Sequence, residues 1–278
     1  MIRIVSDTST LYSTAQAREA GFDVSPLSVT INNRSYREFD EISSDEFVSI
    51  IRQGHMPTSS QPAIGEVSAL YEKYAGDEIL NIAMAHGLSG TYSSAVAAAE
   101  LTDHPEKITV LNTRTLCGPH RYLVEQALDM VRRGHTVQEI VSFLEQKMNT
   151  AKSFLIPADF DYLRRGGRLS PLVSYVGKAI SLTPIMTQTD DGTRLTIASI
   201  RRGFAHGIKW IAQALESRGV GKNWNVYISH AGVLHQAEEA LTILKAKLPQ
   251  AKFHILPLSP AFITQGGPGC VAVQIIEG

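Results

Sequence analysis

Ile79-Leu80-Asn81-Ile82-Ala83-Met84-Ala85-His86-Gly87-Leu88-Ser89-Gly90-Thr91-Tyr92-Ser93-Ser94 runs from an apolar strand, through a glycine-bearing turn, into a helical pattern. A strand that feeds a helix in this way is the unit from which a parallel sheet is built. Ligands of such sheets collect at the carboxyl ends of the strands. There the first turn of a helix offers free backbone N–H groups and a partial positive charge, both suited to an anion. Glycines let backbone come close to a ligand, and Ser89 adds a hydroxyl. No Gly-Lys-Ser/Thr follows, so the turn is not a nucleotide phosphate loop. The same residues would also serve as a plain helix start.

Outward from this stretch, the first half repeats the alternation. Strands are expected over 2–5, 24–31, 79–84 and 108–111, with helices over 11–20, 44–51, 93–101, 119–133 and 136–148. Ser44 is read as the cap of the second helix, and Thr136 with Glu139 three residues on as a capping box. After about residue 150 the character changes. A strand over 153–157 precedes a short helix that ends at Gly166-Gly167, and runs over 184–188 and 194–200 flank Asp190-Asp191-Gly192 as a hairpin. Strands over 226–229, 253–256 and 271–276 and a helix over 236–247 complete the chain. The expected fold is α/β. An N-terminal domain, 1–150, has a mostly parallel sheet flanked by helices, and a second, α+β domain spans 151–278.

Composition excludes several function classes. The 278 residues carry 26 Lys and Arg against 27 Asp and Glu, without the basic surplus a general nucleic-acid binder needs. No apolar run approaches the ~18 residues of a membrane span. The two cysteines and nine histidines form no metal-ligand pattern, and a reducing, cytoplasmic setting is expected.

Three further segments bear on chemistry. Pro57-Thr58-Ser59-Ser60-Gln61-Pro62 presents hydroxyls from an extended stretch between prolines, or simply turns before a helix near Gly65. Leu163-Arg164-Arg165-Gly166-Gly167-Arg168 forms a cationic knuckle, suited to an anion or to a solvated helix end. Gln265-Gly266-Gly267-Pro268-Gly269 is a tight turn before the last strand. His86 near Ser89 invites comparison with a hydrolase, but no Gly-x-Ser-x-Gly elbow is present.

In this order and spacing, Asp7-Thr8-Ser9-Thr10, Ser59-Ser60-Gln61-Pro62, Gly87-Leu88-Ser89-Gly90-Thr91-Tyr92, Leu163 to Arg168 and Gly267-Pro268-Gly269 resemble the DegV family of bacterial fatty-acid-binding proteins along the whole chain. The resemblance implies a long-chain fatty acid such as palmitate between two domains, with no other cofactor. Its carboxylate would be held by Ser59 and Ser89, with Ser60, Gly90 and Gln265 around the head group. It also implies that the protein is not itself an enzyme. As the binding subunit of a fatty acid kinase it would present the carboxylate to the catalytic subunit, with Arg168 and Arg201 as candidate docking residues. The competing reading is an enzyme acting on a small carboxylate or acyl phosphate through His86 or the arginines. Three positions depart from the family pattern: Ser59 replaces threonine, Gln265 replaces a histidine, and Asn112 replaces an aspartate. Gln265 can donate a hydrogen bond but cannot carry charge.

Overall fold

The computed structural model describes residues 1–173 and 182–278. In chain order the first half comprises β1 (Ile2–Asp7), α1 (Thr14–Ala20), β2 (Asp23–Ser25), β3 (Ser28–Ile31), β4 (Arg34–Arg37), α2 (Ser44–Arg52), β5 (Thr58–Ser60), α3 (Ile64–Glu72), β6 (Glu78–Ala83), α4 (Thr91–Glu100), β7 (Ile108–Asn112), α5 (Cys117–Arg132) and α6 (Val137–Met148). The second half comprises β8 (Lys152–Ile156), α7 (Phe160–Gly166), β9 (Leu182–Gln188), β10 (Leu195–Arg202), α8 (Phe204–Ser217), β11 (Trp224–His230), α9 (Leu234–Lys247), β12 (Lys252–Pro257), α10 (Pro260–Gly266) and β13 (Val271–Glu277).

As the alternation predicts, β2-β1-β6-β7 form a parallel sheet. A second sheet, ordered β10-β9-β8-β13-β11-β12, is antiparallel except for the β11–β12 pair. Helix α5 packs against both. Its Leu123, Val124 and Ala127 share one buried cluster with Ile4 and Leu80 of the parallel sheet and with Tyr227 and Ile276 of the mixed one.

The expected single strand over 24–31 is instead two strands in different sheets. Pro26 lacks an N–H for the ladder, and the next amide, Leu27, turns to donate to Thr8 Oγ1 at 2.9 Å. Beyond it, β3 joins β4 and β5 in a small antiparallel sheet. The β3–β4 turn is Asn32-Asn33, with φ of 53° and 58°, the left-handed pair a two-residue hairpin requires. The cap of α2 is Ser43, which accepts from Glu46 N at 3.2 Å; the hydroxyl of Ser44 donates to Leu258 O at 2.7 Å. The Thr136–Glu139 capping box is present as read.

Candidate functional site

The site forms where the carboxyl ends of β1 and β6 meet β5, α7 and α10. Asp7 sets the frame. One carboxylate oxygen accepts from Ser9 N at 2.9 Å and the other from Met84 N at 3.0 Å, tying the ends of the two central strands together. Behind them lies His120, fully buried. Its Nε2 lies 2.9 Å from Ile82 O and its Nδ1 2.7 Å from Ser9 Oγ. Only Nε2 carrying the hydrogen satisfies both contacts, and burial pushes the imidazole pKa down, so the ring is a neutral brace.

Ser59 sits on β5, paired with Val29 of β3. Ser89 lies just ahead of α4. Its oxygen accepts from Thr91 N at 3.3 Å and lies 2.8 Å from Thr91 Oγ1. If Thr91 donates there, the Ser89 proton is left to point outward. Gln61 joins the two segments by donating from Nε2 to Ser94 Oγ at 2.5 Å. Gln265, on the last turn of α10, donates from Nε2 to Ser59 Oγ at 3.0 Å. The other face of that amide lies over Gly166, which ends α7.

These side chains line a mouth with Ser60, Gly90, Leu88, Phe262 and Arg168. Arg168 supplies the mouth's formal charge. Its Nε donates to Leu88 O at 3.2 Å and its Nη1 to Gly166 O, both neutral carbonyls. Among the described residues no carboxylate pairs with it. A half-buried guanidinium so placed carries uncompensated positive charge into a concave site.

Met84, Leu88, Arg168, Phe262 and Gln265 also line a second, mainly apolar cavity, which therefore adjoins the mouth. Leu155 and Met186 of the mixed sheet, with Leu163 of α7, extend it. The two thiols, Cys117 and Cys270, face it as well; burial pushes Cys270 up to about 12 and Cys117 well above its usual range, so both are protonated, apolar wall groups.

Ser59, Ser60, Ser89, Gly90 and Gln265 are thus brought together. The arginine knuckle does not act as one feature: Arg164 pairs with Asp161, Arg165 donates to Met56 Sδ at 2.9 Å, and only Arg168 enters the site. Arg201, on β10, lines neither mouth nor cavity; it donates to Ile200 O at 2.8 Å and lies 5.6 Å over the ring of Trp210. His86 is exposed, 3.2 Å from Ser93 Oγ, and lines neither. Asn112 accepts from His86 N at 3.2 Å and Arg114 N at 3.1 Å, a role an amide oxygen fills without charge.

Sequence reasoning missed Glu38. It is fully buried just past β4, accepting from Thr8 Oγ1 and from Ala261 N at 2.8 Å, at the start of α10. Burial pushes its carboxyl up to about 7. Among the described residues no three His, Cys, Asp or Glu side chains gather as metal ligands do, and no helix is long and apolar enough to cross a membrane.

A family model described as "Uncharacterised protein, DegV family" matches residues 1–278. A DegV domain-containing protein of Caldanaerobacter subterraneus subsp. tengcongensis is 30% identical over 279 residues, covering 99% of this chain and 99% of its own. A Bacillus subtilis structure described as DegV, a fatty acid binding protein, has a TM-score of 0.87 at 25% identity, covering 100% of this chain and 99% of that one. One from Thermotoga maritima, described as a DegV lipid binding protein, has a TM-score of 0.86 at 26% identity, covering 99% and 98%.

Proposed function

Because the chain belongs to the DegV family, we propose that it binds one long-chain fatty acid, tail in the apolar cavity and carboxylate in the mouth, without catalysing a reaction on it. The observation that carries this reading is an apolar cavity sharing five lining residues with a mouth whose one ionisable lining residue, among those described, is a cation. The B. subtilis and T. maritima relatives, described as binding fatty acid and lipid, support it.

The division of labour follows from magnitudes. A sixteen-carbon tail has about fourteen methylenes, each worth ~0.8 kcal/mol when buried, on the order of 10 kcal/mol before association costs remove a large part. The head group adds less but sets orientation: hydroxyls of Ser59 and Ser89 donate, and Arg168 supplies counter-charge. Ser60, Gly90 and Gln265 shape the space around it. The carboxylate then faces outward, which suits a protein that presents it to a fatty acid kinase, with Arg201 as a docking residue. Titration with palmitate, followed by native mass spectrometry, should give saturable binding of one acid per chain. Protein free of lipid that binds no palmitate would rule the reading out. Adding a fatty acid kinase and ATP to the loaded protein tests presentation: acyl phosphate should form, and less of it with Arg201→Glu.

A further inference from the structure

The far end of the apolar cavity is not apolar. Two successive rungs of the mixed sheet face it. The first aligns Ala272 of β13, Leu155 of β8 and Met186 of β9. The second, two residues on and so about 7 Å further along the strands, places Gln274 opposite Ser153, with Gln188 beside them. The backbone leading into α5 lies across this second rung. Gln188 donates to Arg114 O at 3.2 Å, and Gln274 donates to Leu116 O at 3.0 Å and accepts from Gly118 N at 3.4 Å. A further bond joins Gln274 Nε2 to Ser153 Oγ at 2.9 Å.

Gln274 is only 2% exposed, and its donor and acceptor are both engaged within the protein. An amide held in this way asks nothing of a ligand and cannot swing aside without leaving buried polar groups unmatched. It is a fixed wall. We propose that Gln274 closes the acyl cavity and sets the longest chain the protein accepts. This rests on the reading that the cavity holds an acyl tail. Ala272, one rung nearer the mouth on the same face, is small because the tail passes over it.

The test is a binding profile over saturated fatty acids from about twelve to twenty carbons. Gln274→Ala should move the preferred length up by about two carbons and raise affinity for the first excluded chain about tenfold. Gln274→Met, of similar length, should keep the wild-type profile. Ala272→Leu leaves every hydrogen bond of Gln274 in place, so it carries the test even where Gln274→Ala fails to fold; it should shorten the preferred chain. Gln274→Ala binding with an unchanged profile, Gln274→Met shifting as far as alanine, or Ala272→Leu shifting nothing would each overturn the assignment. Wild-type protein that binds no acid would instead remove the acyl reading on which it stands.

Discussion

Ser89 at the mouth and Glu38 in the protein interior are poised differently. Ser89 accepts from Thr91 N and, where Thr91 Oγ1 also donates to it, keeps its own proton to give. A hydrogen bond to a carboxylate is worth about 1.5–3 kcal/mol. Ser89→Ala should therefore weaken palmitate binding roughly ten- to a hundredfold, with the melting temperature little changed; calorimetric titration of the two proteins checks it. Glu38 is the opposite case, a carboxyl wholly removed from water. Its pKa is raised by burial, so between about 4.5 and 7 the folded state holds a proton that the unfolded state has released. Its contribution is present below the lower value and is lost as pH rises through the upper one, on the order of 3 kcal/mol. Glu38→Gln should remove that loss: the variant gains on wild type as pH climbs from 5 to 8, in denaturation midpoints measured along the series. Sequence could not flag Glu38, because an acid in a polar turn looks the same whether water reaches it or not. Arg168 was readable as a cation, but not as one aimed inward.

At the level of elements, the β9–β10 hairpin deserves a mechanical reading. Its turn is held by Asp191, which accepts from Thr189 Oγ1 at 2.5 Å and Thr193 N at 3.0 Å. The tip sits on Gly87, where a Cβ would lie 2.1 Å from the Thr193 Cα. Backbone cannot yield as a side-chain tip would, so Gly87→Ala should lift the hairpin from the turn that carries Ser89. Hydrogen exchange at 189–194 should quicken, with amides of β1 and β6 unchanged; equal exchange in both proteins would contradict this. The Asp191-Gly192 signal made the hairpin legible in advance, and the capping box did so for α6. Helix α10 was not legible. Its seven residues, Pro260 to Gly266, mix apolar, small and polar types without a clear period, and the last two fall in the segment read as a tight turn. Yet α10 positions Phe262 and Gln265 at the mouth.

For the whole molecule, the question is how two sheets hold one site. We propose that the chain divides into 1–150 and 151–278; each strand of the mixed sheet begins at Lys152 or later. The two halves share the α5 core, and there Gly118 lies against Tyr227, with a Cβ placed 2.1 Å from the ring's Cγ. Gly118→Ala should push helix from sheet and cost about 1–3 kcal/mol, the range for overpacking a tight core. A drop in melting temperature of several degrees would register it, and an unchanged one would refute it. That interface was out of reach of pattern reading, since periodicity says which face of α5 is apolar but not that two sheets compete for it.

The mouth draws on residues as far apart as Ser59 and Gln265, and the cavity runs from Met84 to Gln274. Any molecule lodged there touches both halves of the chain and is bound only by the assembled form. It would therefore act as a folding reagent as well as cargo. At a free concentration a hundred times its dissociation constant it adds about 2.7 kcal/mol to the unfolding free energy. The abundance of the protein in a cell would then report on the supply of what it carries, because empty chains open more often and are the first to meet a protease.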